Sequence, residues 1–155
     1  MANEKIKLNV LGAPKDAEIK YFQKGDGVIM VKNNLPYETV FEMIQWSINF
    51  IMDDRPFVSA PLKEIIEDLA LIKFYTNIDL AEIEVIGFSA SELYADYDIL
   101  KDSGIIEDVE GFINKEQLAF YKRTLDATLK SLVEYRNSAA GLLERIHTLA
   151  SNQSA

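Results

Sequence analysis

Residues 5–11 (Lys5-Ile6-Lys7-Leu8-Asn9-Val10-Leu11) alternate polar and apolar, and a period of two predicts a strand with one buried face. Gly12, Ala13 and Pro14 end the alternation. Two further β-prone runs, Ile19-Lys20-Tyr21-Phe22-Gln23 and Val28-Ile29-Met30-Val31-Lys32, bracket Lys24-Gly25-Asp26-Gly27, where Asp26-Gly27 is expected to supply the positive φ angles of a tight turn. The pattern predicts a β-hairpin with a third strand beside it. So small a sheet has open edges and has to pack on helices or on another chain.

Beyond Asn33-Asn34 the period lengthens. Pro36 stands where a helix start tolerates a missing N–H, and Val40, Phe41, Ile44, Ile48, Ile51 and Met52 recur at helical spacing up to Asp53. Met43, Trp46 and Phe50 line the other side, so this helix is apolar nearly all round and is expected at the centre of the fold or under a partner. After a loop at Asp53-Asp54-Arg55-Pro56, Ser59 with Pro61 opens a second helix. Its stripe is Leu62, Ile65, Ile66, Leu69 and Ile72, and Leu71, Phe74 and Tyr75 add another face.

From Asn77 to Phe88 the pattern weakens. A helix follows over 90–101, closed by Ser103-Gly104, and a short one over 105–112. From Asn114 onward Leu118, Tyr121, Leu125, Leu129, Leu132, Arg136, Ala139, Leu143 and Ile146 step by three and four, which predicts one helix over 114–150. At 1.5 Å per residue that helix is about 50 Å long and overhangs a domain of this size. The expected class is mainly α: one domain over 1–155, with a β segment (1–33), a helical core (34–113) and a long C-terminal helix (114–150).

Charge changes this picture most. The chain carries −9, and residues 79–110 alone hold ten acids against the single Lys101, whereas the flanks net −2 and +2. An acidic middle followed by a mildly basic helix favours ordered contact with other subunits over chemistry. Nearly half of the 155 residues are apolar, enough for a core that buries roughly 70% of the unfolded surface, and no apolar run approaches the roughly 20 residues of a membrane span. The opening Met1-Ala2-Asn3-Glu4-Lys5 lacks the pattern of a secretory signal, so synthesis in the cytoplasm is expected.

With no cysteine and one histidine, His147, the chain has no thiolate chemistry and no multi-histidine metal site. Asp96-Tyr97-Asp98 with Asp102-Ser103-Gly104 has the wrong spacing for a calcium loop, because Ile99-Leu100-Lys101 intervene. Lys24-Gly25-Asp26-Gly27 joins strand to strand and lacks the rest of a phosphate-binding loop. Acids this abundant pair by chance, so no glycosidase dyad is read from them. Asp126 and Glu134 interrupt the bases of the last helix, which argues against nucleic acid. No enzyme activity, cofactor, metal, nucleic acid, membrane or small-molecule substrate is therefore expected.

Asn137-Ser138-Ala139-Ala140-Gly141 offers two readings. Five small residues in a helix leave a groove for another backbone, and they equally mark a kink or a helix end. Taken with the overhang, the stripe over 132–149 is expected to meet another subunit through Leu132, Ala139, Ala140, Gly141, Leu143 and Ile146. The hairpin is expected to meet one through Val28 and Met30 by strand addition.

Several phrases carry a resemblance: Leu35-Pro36-Tyr37-Glu38 after an N-terminal β segment, Ile72-Lys73-Phe74-Tyr75-Thr76-Asn77-Ile78, and Tyr135-Arg136-Asn137-Ser138-Ala139-Ala140-Gly141 in a late helix. In this layout the chain resembles small proteins of tailed bacteriophages encoded among virion-structure genes. The resemblance implies a virion protein made in the host cytoplasm, acting in the capsid, head–tail connector or tail through contacts with itself or other virion proteins. It carries no site residues. The alternative is a small acidic phage regulator that covers a basic surface of a host protein with residues 79–110.

Overall fold

In the computed structural model the described residues are 5–52, 58–80 and 90–153. The loop expected at Asp53-Asp54-Arg55-Pro56 and the acids Glu82 and Glu84 lie outside them. The described residues form a mainly α protein, with one antiparallel hairpin followed by six α-helices.

Strands β1 (Ile19–Lys24) and β2 (Gly27–Lys32) pair with Phe22 opposite Ile29 and Tyr21 opposite Met30. The positive φ falls at Gly25 (57°), with Gly27 already in β2, so the expected Asp26-Gly27 assignment is shifted. A two-residue turn accepts glycine at its first central position because only there is a left-handed backbone required. The third strand expected over 5–11 is absent: Leu8–Leu11 form a short 3-10 turn, held by bonds such as Val10 N–H to Lys7 O at 3.1 Å. Alternation specifies which side chains share a face, but a strand also needs a partner for its backbone groups, and the arm pairs with neither strand.

Helix α1 (Tyr37–Ile51) starts after Pro36 and buries Val40, Met43, Ile44, Ser47 and Ile51. On its flank Phe41 is exposed and Trp46 and Phe50 are half-buried. Phe41 and Tyr37 instead set their rings edge-on to Phe120 at 6.1 and 5.2 Å, where the positive ring edge meets the negative face. Helix α2 (Ala60–Tyr75), opened by Ser59 and Pro61, buries Leu62, Ile66, Leu69, Ala70, Leu71, Ile72 and Tyr75. It is the central element, packed against α1 on one side and against α4 (Ile105–Phe112) on another. Helix α3 (Ala90–Ser103) leads into α4 through Gly104, whose φ of 74° reverses the chain without a Cβ in the way. Strand β2 touches α4, and its Val31 is fully buried in the core.

The long C-terminal helix is α5 (Lys115–Asn137), capped by the Asn114 side chain, which accepts from the N–H groups of Glu116 and Gln117. The single helix expected over 114–150 divides at Ser138, where ψ of 164° breaks the ladder before α6 (Ala139–Gln153). The Ser138 hydroxyl donates to Tyr135 O at 2.5 Å and accepts from Gly141 N–H at 3.2 Å, closing one helix and capping the next. A Cβ on Gly141 would collide with Tyr135 O. The small residues thus serve a corner within the chain, the second of their two readings.

Buried polar groups knit these elements. Gln117 donates its amide to Leu35 O at 2.8 Å, and its Oε1 accepts from Leu35 N–H at 2.8 Å and from the Tyr75 hydroxyl at 2.7 Å. The Ser47 hydroxyl donates to Met43 O, which leaves Tyr121 as donor in the 2.6 Å bond between the two hydroxyls. Burial raises both tyrosine pKa values well above the ordinary phenol range, so both hydroxyls keep their protons. Gln117→Leu would strand the Leu35 N–H and C=O and the Tyr75 hydroxyl without partners. The expected loss is about 3 kcal/mol of unfolding free energy or more, read by urea denaturation; a loss below about 0.5 kcal/mol would show that water replaces the amide.

Candidate interaction surface

The residues expected to make contacts fall on separate elements. On α6, Leu143 (67% exposed), Ile146 (63%) and Leu149 (62%) stand together with the less exposed Leu142 along one stripe. Their spacing of three and four is that of a helix face built for apolar contact. Ala139 and Ala140 are exposed at its start, whereas Gly141 is buried in the corner and Leu132 packs half-buried against the core. Of the expected set, Leu143 and Ile146 share one exposed stripe, with Ala139 at its start.

Val28 and Met30 lie on the outer face of the hairpin, with Ile19 and Tyr21, whose apolar side chains were not singled out from the sequence. The signal was present: Ile19, Tyr21 and Phe22 put apolar groups on both parities of β1, so one face had to be left outside. Strand addition at the β2 edge is already met by the chain itself at Met30. Its N–H donates to Asn77 Oδ1 at 2.9 Å, its C=O accepts from Asn77 N–H at 3.3 Å, and Val31 bridges to Thr76. The edge at β1 has no such neighbour among the described residues. The arm exposes Ile6, Leu8, Val10 and Leu11 by between 71% and 82%.

The acidic segment is partly neutralised from within. Lys24 meets Asp108 at 2.8 Å, Lys101 meets Glu107 at 3.0 Å and Lys122 meets Glu110 at 3.0 Å. The Lys101 bond holds the Glu107 carboxyl below its ordinary pKa. On α3, Tyr94 and Ile99 are exposed beside Asp98 and Asp102. Tyr97 donates to Asp68 Oδ2 at 2.6 Å, yet burial outweighs that bond and raises the Asp68 carboxyl above its ordinary range.

A shallow groove of about 460 Å³ runs between Val58 and Lys63 on one side and Asp126, Leu129, Lys130, Val133 and Glu134 on the other. Burial opposes the charge on Lys63, but bonds to Asp126 and Glu67, each 2.6 Å, leave its pKa raised. Its cation is thereby committed to the fold. Among the described residues no group of three or more His, Asp or Glu could hold a metal ion, and no helix is long and apolar enough to cross a membrane. Comparison with protein families, with curated proteins and with solved structures finds no match to this chain.

Two outcomes follow from this geometry. Gly141→Ala removes the space that the corner needs, while alanine favours a continuous helix. Spin labels at positions 130 and 151 should then move apart towards the roughly 30 Å of a straight helix, and an unchanged distance would show that Gly141 does not limit the corner. Asp68 has a raised pKa in the fold, so the folded state holds more protons than the unfolded state between the two values, and stability falls as pH rises through that window. Asp68→Asn should flatten this part of the stability profile measured by urea unfolding; an identical slope would mean the burial of Asp68 carries no penalty.

Proposed function

We propose that the protein is a structural or assembly component of a tailed-phage particle, made in the host cytoplasm and acting through protein contacts, with α6 pairing against α6 of a second copy. The observation that carries the contact is the stripe Leu143, Ile146 and Leu149, left outside a core that closes without it. A helix of 15 residues has little stability of its own in water and gains most of it from covering an apolar face. The phage setting rests on the resemblance of the sequence.

Charge favours a second copy as the occupant. Over most of its surface a chain of −9 repels another, but α6 carries only Glu144 and Arg145 as fixed charges, and they cancel. Two such helices meet about a twofold axis without net opposition and keep their acidic segments apart. Each fully covered Leu or Ile contributes about 1.5–3 kcal/mol, so three per copy offset a substantial part of the cost of association. A second reading, the acidic regulator of a host protein, draws on α3, where Tyr94 and Ile99 stand among the acids.

Leu143→Asp tests the first reading, because a carboxylate placed in a dry contact costs several kcal/mol unless it is paired. Sedimentation should report weaker association than the unsubstituted chain shows, with an unchanged circular dichroism spectrum and melting temperature. Assembly that survives while the monomer unfolds would place α6 in its own core and overturn the contact.

A further inference from the structure

We infer that residues 5–11 of one copy add as a third strand to the β1 edge of a second copy, an interface separate from α6 and independent of it. The alternation Lys5-Ile6-Lys7-Leu8-Asn9-Val10-Leu11 has the period of a strand, but in its own chain the segment has only a short 3-10 turn and leaves its apolar side chains in water. The edge that could receive it is defined by the hairpin register. The two-residue turn makes Lys24 and Gly27 a pair that exchanges both bonds, so the pairs at Phe22 and Lys20 do the same, and Glu18 and Asn33 extend the series with a 3.0 Å bond. Ile19, Tyr21 and Gln23 therefore direct their N–H and C=O groups away from β2. The opposite edge is occupied at Met30 by Asn77.

Side-chain chemistry gives the arm its orientation. With Ile6, Leu8 and Val10 on the hairpin's outer face, they continue the row of Ile19, Tyr21 and Met30. Lys5 and Lys7 then fall on the inner side with Lys24, towards α4, where Asp108 already takes Lys24 at 2.8 Å and Glu107 lies beside it. The basic arm thus meets the acidic segment of the chain it joins. An unoccupied edge is a template for pairing, and covering it with the partner's arm also removes the hazard of uncontrolled association.

The absence of cysteine makes the test direct. Leu8→Cys and Tyr21→Cys chains of different mass are mixed, each in the Leu143→Asp background that removes the α6 contact, and treated with a short bismaleimide. The expected product is a cross-linked pair holding one chain of each kind, its yield falling on dilution. A chain carrying both substitutions should stay without an internal cross-link when dilute. An internal link would mean that the arm folds onto its own edge, and no link between the two chains would mean that it reaches no β1 edge at all; either result overturns the inference. Deleting residues 2–11 should also speed exchange of the Tyr21 amide about tenfold or more, with an unchanged rate counting against the strand. Because the α6 contact is absent throughout, these outcomes leave the Leu143→Asp result to be read by itself.

Discussion

The side-chain amide of Gln117 is the constraint on which the arrangement of elements depends. Leu35 lies between the hairpin and α1 with its backbone buried, and a buried N–H and C=O each need a partner. An amide supplies donor and acceptor together, and the second lone pair of Oε1 takes the Tyr75 hydroxyl at the end of α2. Asn114, three residues earlier, donates its N–H to Asn33 O at 2.8 Å, while the Asn33 side chain accepts from Glu18 N–H at the base of the hairpin. The first turn of α5 therefore fixes the hairpin, the start of α1 and the end of α2 at once. Apolar packing makes the core favourable, but it does not choose directions, and these hydrogen bonds do.

That closure also determines what is left outside. Once β2 lies on α4 and residues 76–77 occupy its far edge, the outer face of the hairpin stays exposed at Ile19, Tyr21 and Val28, and the β1 edge pairs with no second strand among the described residues. The acidic helices keep most of their charge in solvent, where water and salt screen exposed ion pairs such as Lys101–Glu107. Apolar and acidic surfaces are thus segregated. The hairpin and α6 can make contacts at which the like charges of two copies stay distant.

How much of this could be read from residues alone depended on whether the pattern had one physical cause. The α2 stripe and the line Leu118, Tyr121, Leu125 and Leu129 on α5 were legible because burial on one side is the only reason for a 3.6 period. The hairpin was legible from two β-prone runs about a glycine turn, although which glycine takes the positive φ depends on the closing pair. The arm misled because alternation has two requirements, a face and a partner, and only the face is written in the segment. Gln117 was passed over because a polar residue at a stripe position looks like an interruption, when it is the partner of a backbone far away in sequence. Of the expected contact residues, Leu143 and Ile146 group by spacing, but in a straight helix Gly141 and Leu132 belong to the same run and spacing does not separate them.

Leu132, Arg136, Ala139 and Leu143 continue the phase of α5 without a slip, so periodicity carries no trace of the corner; the trace is in residue size. Ser138 can end one ladder and cap another with the same hydroxyl, and Gly141 lets the preceding turn approach where any Cβ would collide with Tyr135 O. In a straight helix the last four turns would carry their stripe on past the core in line with Leu125 and Leu129. The corner turns that stripe in a direction of its own. The core is then governed by residues such as Gln117, and the direction of α6 by Ser138 and Gly141, so the exposed stripe of α6 can be re-aimed by changing small residues at the corner without repacking the interior.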